Sequence, residues 1–156
     1  MNNVECFEKL RKIFPFKNYI INQSLSGAYK TISDVVTMHL KPGQEILDFG
    51  SGPCDKSALL QLMGYKCTGY DDLNDAWHKA DGNENKIFSF IESVGMNFVK
   101  KNDKQFPFAN NTFDCIMMND VIEHLHNSPK NILELLLKKQ KINGILLIIV
   151  PNAGNI

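Results

Sequence analysis

At 156 residues, 44% hydrophobic and 22% charged, the chain is long enough for one domain with a real core and too short for two. Its 17 basic and 17 acidic residues cancel, which argues against general affinity for nucleic acid or membrane surfaces. The N-terminus lacks a signal-type apolar core and the longest apolar run, 145–150, is far short of a membrane span, so a cytoplasmic setting is expected.

Apolar periodicity over 4–14 predicts an N-terminal helix, stopped near Pro15. A second helix is expected over about 26–40, ended by Lys41-Pro42-Gly43. From Glu45 the segments alternate: a strand over 45–49, a helix over 54–63 and a strand over 66–70. A polar stretch, 73–78, precedes a helix over about 85–94 and a third strand at 97–101. The fourth strand is expected at 113–118. A helix over 129–140, stopped by Asn143-Gly144, then leads to a fifth strand at 145–150. Such alternation predicts an α/β, Rossmann-like, mostly parallel sheet with helices on both faces. Strands one, four and five read as continuous apolar runs, as they must when both faces are covered. The expected organisation is a single domain in which N-terminal helices, 1–44, cap the ligand site of a core over 45–156. The cysteines Cys6, Cys54, Cys67 and Cys115 form neither a C-x-x-C pair nor a zinc spacing. Cys67 and Cys115, within strand-like runs, read as small buried hydrophobes.

The most informative segment is Ile46-Leu47-Asp48-Phe49-Gly50-Ser51-Gly52-Pro53, followed by Gly69-Tyr70-Asp71-Asp72. A buried strand, a glycine turn opening a helix, and a second strand ending in a carboxylate make a unit that holds adenosine-containing ligands. Glycines let the backbone lie close to the ligand, and a carboxylate accepts hydrogen bonds from both ribose hydroxyls. In a G-x-G-x-x-G frame Asp55 occupies the third glycine's place, where its charge opposes a pyrophosphate. Asp48 is likewise poorly placed for a polyanion and well placed for a ligand carrying an ammonium and a sulfonium.

This pattern resembles the Rossmann-like S-adenosylmethionine-dependent methyltransferases, whose first motif is an apolar strand, an acid and G-x-G. The resemblance covers roughly residues 25–152 and includes the run 106–114, similar to the family's "L-P-F…F-D" ahead of strand four. It implies that Asp48, Gly50, Ser51 and Gly52 contact the amino-acid part and ribose of the cofactor. Asp71, with Asp72 as the alternative, would bind the ribose. Asn102 and Asp103 fall where relatives meet the adenine amino group, the other reading being a turn that uses Asn and Asp for its geometry. Asn119 would hydrogen-bond the cofactor's amino-acid part, and Tyr29 is placed to touch the cofactor or to pack in the core.

Asn119-Asp120-Val121-Ile122-Glu123-His124-Leu125 looks like the "E-V-x-E-H" segment of small-molecule methyltransferases related to the ubiquinone-biosynthesis O-methyltransferases. On a helical turn Asp120, Glu123 and His124 would share one face. Either His124 acts as general base oriented by Glu123, or the three hold a divalent cation, or they are a helix-start cluster favoured by the dipole. The preferred reading assigns His124 and Glu123 to catalysis and no resident metal. Trp77, the only tryptophan, and His78 either wall a substrate pocket or pin their loop to the core.

The implied activity is methyl transfer from S-adenosylmethionine, leaving S-adenosylhomocysteine, to a small-molecule acceptor at oxygen or nitrogen rather than carbon. The alternatives are a cofactor-binding protein without catalysis, truncated or otherwise, and an NAD-dependent oxidoreductase. The C-terminal strands that complete the family fold are not in the chain. Its fifth strand would therefore present an open apolar edge, as in a fragment or in an oligomer whose partner covers that edge.

Overall fold

In the computed structural model, which describes residues 3–25, 27–102 and 106–151, β1 (Glu45–Phe49) is the centre of one five-stranded sheet. It runs parallel to β2 (Lys66–Asp71) on one side and β4 (Phe113–Asn119) on the other. The edges are β3 (Asn97–Lys100), parallel to β2, and β5 (Gln140–Ile149), parallel to β4. Ile46 lies level with Cys67 and Cys115, so the middle of the sheet is built from three predicted strands at once.

Alternate residues of these strands enter two separate cores, as strand geometry dictates. Ile46, Cys67, Cys115 and Met117 face α1 (Asn3–Ile13), α3 (Ala28–His39), α4 (Asp55–Leu62) and α6 (Asn83–Val94). Leu47, Tyr70, Ile116 and Met118 face α7 (Lys130–Lys139), which inserts the fully buried Leu136. Each such aliphatic side chain contributes about 1.5–3 kcal/mol through burial. With both faces covered, the sheet offers ligands only the ends of its strands.

Three elements depart from the sequence reading. α2 (Lys17–Leu25) and the single turn α5 (Ala76–Lys79) occupy stretches expected to be irregular. Both rest on tertiary contacts: Tyr19 stacks on Trp77 at 5.7 Å between ring centroids, and Phe16 meets Trp77 edge-on at 4.7 Å. The other departure is β5, which starts directly after α7. Phe113 pairs with Gln140 but Cys115 pairs with Ile145, so extra residues bulge out around Asn143, whose φ is +64°. A Cβ on Gly144 would come within 2.9 Å of the Asp114 carbonyl oxygen, which is why the bulge places glycine there. Asp114 locks this end of the sheet by accepting hydrogen bonds from Gln44 Nε2, the Glu45 amide and Lys141 Nζ, all within 2.9 Å. Partial burial works against its ionisation, yet these donors hold the carboxyl below its ordinary range. Among the described residues no strand pairs with the outer edge of β5, and no helix is long and apolar enough to cross a membrane.

Candidate functional site

The C-terminal ends of β1, β2 and β4 open into a cavity of about 1000 Å³, at the upper end of the range for ligand sites. It sits where the strand order reverses, the crevice in which open parallel sheets bind ligands.

The floor is the turn after β1. Gly50 has φ +73° and donates its amide to the Tyr70 carbonyl at 2.8 Å, tying the turn to β2. A Cβ there would stand 2.5 Å from Val121 Cγ2, so the turn and the segment after β4 touch only because residue 50 has no side chain. Gly69 does the same from below: a Cβ would meet Cys54 Sγ at 2.8 Å and Ser51 Oγ at 2.9 Å. Cys54, just ahead of α4, adopts φ +62°, a conformation uncommon for a residue with a side chain. Its thiol is fully buried beside the Ser51 hydroxyl, 3.3 Å away, and burial holds its pKa well above the ordinary value. The thiol is packing, not a nucleophile.

Asp71, at the tip of β2, accepts the Gly52 amide on Oδ2 at 2.9 Å and the Leu73 amide on Oδ1 at 2.7 Å. A carboxylate has about four acceptor positions, so both oxygens keep a free lone pair. Asp72 also lines the cavity, accepts the Asn74 amide and lies 3.8 Å from Lys101 Nζ. Asn102 lines the far end and is exposed, whereas Asp103 lies outside the described residues.

Asp48 and Asn119 are the buried polar groups of the site. Asp48 is 2% exposed, and among the described residues its Oδ1 has no hydrogen-bond partner. Both side-chain atoms of Asn119, at the end of β4, are equally unsatisfied. Leaving three such atoms buried and unpaired costs about 1–3 kcal/mol each, a cost that a bound ligand with matching groups removes. Burial pushes the Asp48 carboxyl up to about 6 against the pull of the Ser57 hydroxyl and Lys56, with Asp55 and Asp71 adding to the rise. The folded value exceeds the unfolded one, so this contribution to stability is full below about pH 4 and is lost as the pH climbs through about 6. Relative to Asp48→Asn, the native chain is therefore expected to lose up to about 3 kcal/mol between those pH values, which urea unfolding of both proteins at pH 4 and pH 7 will measure.

The segment after β4 corrects the expected helical turn. Asp120 takes φ +54° and ends the strand, and only Ile122–His124 form a short 3₁₀ turn. Asp120 and His124 line the cavity; Glu123 is exposed and does not. The three do not share a face, and among the described residues no group of three His, Cys, Asp or Glu side chains is arranged to hold a metal ion. A left-handed residue at 120 breaks the i, i+3, i+4 spacing that the metal reading needed. Of the two readings of Tyr29, the structure shows the core-packing one. It is buried and donates its hydroxyl to Asp55 Oδ2 at 2.6 Å, outside the cavity. Asp55 is 1% exposed and lies 3.5 Å from Lys56 Nζ, so the charge expected to face the ligand is turned into the protein.

Two lining residues, Lys56 and Tyr19, carried no assigned role in the sequence, and they meet the expected Trp77 and His78 here. Lys56 is buried against Asp55 with its ammonium 5.9 Å from the centre of the Tyr19 ring. Tyr19 and Trp77 form a wall, and burial together with Asp55, Asp120 and Asp48 holds the Tyr19 hydroxyl far above its ordinary pKa. His78, 5% exposed, completes that side. Lys56 lies in the first turn of the helix that the glycine turn opens, and that position was the signal that could have found it. Tyr19 sat on a helix without a clear apolar stripe.

A family model described as a methyltransferase domain matches residues 22–155. Among solved structures, the chain is similar to a SAM-dependent methyltransferase from Aquifex aeolicus (24% identity, TM-score 0.58, covering 75% of this chain and 62% of that one). It is also similar to the PH0226 protein from Pyrococcus horikoshii OT3 (19% identity, TM-score 0.69, 94% and 63% covered). A third is Haemonchus contortus phosphoethanolamine N-methyltransferase 2 in complex with S-adenosyl-L-methionine (18% identity, TM-score 0.60, 76% and 27% covered). The chain thus spans less than two-thirds of each of these structures. No curated protein is a significant match.

Proposed function

The chain belongs to the methyltransferase-domain family, and from that premise we propose that its cavity binds S-adenosylmethionine and serves methyl transfer to a small-molecule acceptor. The observation that carries this reading is the set of unsatisfied buried groups at the strand tips, Asp48 Oδ1 and both amide atoms of Asn119. They match an amino-acid moiety, in which an ammonium needs acceptors and a carboxylate needs a donor. The residues therefore fit the cofactor, which when bound supplies a methyl group activated by positive charge on sulfur.

Asp71 offers its two remaining lone pairs to the ribose hydroxyls. Asp48 draws the ammonium, Asn119 donates to the carboxylate, and Phe106 with Asn102 flanks the adenine end. Tyr19 and Trp77 bound the opposite part of the cavity, where an acceptor would lie. The chain's main task is alignment, which alone lowers a barrier by several kcal/mol. A base is needed only if the acceptor arrives protonated, and His124 on the cavity wall is placed for that role without Glu123 as its partner. We take the acceptor atom to be oxygen or nitrogen and not carbon, a reading that rests on the resemblance of 119–125 to ubiquinone-type O-methyltransferases. A cytoplasmic setting accords with such a small-molecule activity.

An NAD reading is disfavoured for a new reason. Asp55, being buried, does not repel a pyrophosphate, but Asp71 already takes the Gly52 amide that a pyrophosphate in the turn would require. Calorimetric titration is expected to show saturable binding of S-adenosylhomocysteine and none of NADH. Binding of NADH that displaces S-adenosylhomocysteine would overturn the assignment.

A further inference from the structure

His78 is a buried side chain at the site that the proposed contacts leave without a role. It lies more than nine-tenths buried against the edge of the Trp77 ring, with ring centroids 5.1 Å apart. Among the described residues Nδ1 has no hydrogen-bond partner, although Asp75 Oδ2 is 3.9 Å away. On the other side of the ring, Nε2 lies 3.8 Å from where a Cβ on Gly52 would stand. Burying an imidazole with an orphaned nitrogen costs free energy that packing against one indole does not explain.

Nδ1 is the nitrogen turned toward Asp75, and the tautomer that carries its proton there leaves Nε2 as an acceptor. Gly52 is also the residue whose amide binds Asp71 Oδ2. One glycine thus has an imidazole acceptor over its Cα and a carboxylate acceptor on its amide. Two acceptors flanking one point suit a ligand that presents two hydroxyl donors side by side.

We propose that His78 Nε2 and Asp71 together read the ribose diol of the adenosyl ligand, each accepting one hydroxyl proton in a hydrogen bond. This rests on the cofactor reading given above and revises one contact in it, moving one of the two hydroxyls from Asp71 to His78. His78 contacts the ligand directly, and the glycine at 52 leaves room for the ring. A site in which the two oxygens of Asp71 took both hydroxyls would keep its discrimination when His78 is replaced.

The test compares S-adenosylhomocysteine with its 2′-deoxy and 3′-deoxy analogues by calorimetry. Native protein is expected to bind one of the two deoxy analogues at least tenfold more weakly because the Nε2 acceptor goes unused. In His78→Phe that particular discrimination should shrink to about twofold while the discrimination due to Asp71 persists, and His78→Gln, which retains an acceptor, should restore part of it. Should His78→Phe fail to fold, the native protein still answers: on titration with S-adenosylhomocysteine the imidazole ¹⁵N resonances of His78 should show Nε2 becoming hydrogen-bonded and Nδ1 staying protonated. Unchanged His78 resonances with the ligand bound, or undiminished discrimination in a folded His78→Phe, would overturn the proposal. So would a variant that binds both ligands like the native protein but loses turnover, since that assigns the imidazole to the acceptor. Failure of S-adenosylhomocysteine to bind the native protein at all would refute the cofactor reading instead.

Discussion

Asp71→Ala should weaken S-adenosylhomocysteine binding about 100-fold, while Asp72→Ala changes it by less than about threefold. Hydrogen bonds to a charged acceptor contribute about 1.5–3 kcal/mol each, and a tenfold change in affinity is about 1.4 kcal/mol. The Asp71 substitution also frees the Gly52 and Leu73 amides that the carboxylate now holds, so the turn and the next loop lose their shared anchor. Asp72 anchors only Asn74, and its ion pair with Lys101 is partly exposed and weak. Asp71→Asn keeps one acceptor oxygen and should fall between the two. Calorimetry gives the affinities, and thermal unfolding without ligand separates loop loosening from ligand contact. If Asp72→Ala proved the more damaging change, the ribose would have to be reassigned to Asp72.

The second large effect is expected from Gly50→Ala. The added methyl group meets Val121 Cγ2 at 2.5 Å, and φ +73° disfavours any side chain. Overpacking costs about 1–3 kcal/mol and a left-handed non-glycine residue about 1–3 more, which should both destabilise the domain and abolish measurable ligand binding. The two causes can be separated. Combining Gly50→Ala with Val121→Ala removes the clash but leaves the backbone strain, so the double variant should regain part of the stability seen in urea unfolding. Full recovery would mean that φ is not constrained; no recovery would mean that Val121 is not the obstacle.

The sheet was legible because its strands obey simple rules. Ile46, Leu47, Ile116 and Met117 are apolar on both faces, and glycine pairs or proline mark the ends of the neighbouring elements. The cofactor turn was legible for the same reason, since Gly50 and Gly52 have no other explanation at that spacing. What could not be read depends on contacts distant in sequence. α2 contains Asn18, Ile20, Ile21 and Asn22, weak helix formers without a continuous apolar stripe, and is held by Trp77 more than fifty residues away. The turn after β4 was misread because helix periodicity was extended across Asp120, whose left-handed backbone no local signal announces. Asp55 was misjudged because a charge at a helix start was expected to face the ligand, when Tyr29 and Lys56 draw it inward.

The register of β1 has a consequence for folding. Ile46 aligns with Cys67 nearby in sequence and with Cys115 much farther along, on the far side of α4, β2, α5, α6 and β3. Pairing across so long a loop carries a closure entropy that is recovered only when both neighbours are in place, and parallel sheets of this kind fold slowly. Val121 reaches Gly50, and Asn119 reaches the cavity, only after that late pairing. An early intermediate holding β1 and β2 together would thus possess the glycine turn and Asp71 yet lack the half of the pocket supplied by β4. Ligand captured by the finished site would act on the final step and slow unfolding, with little leverage on how quickly the chain first collapses.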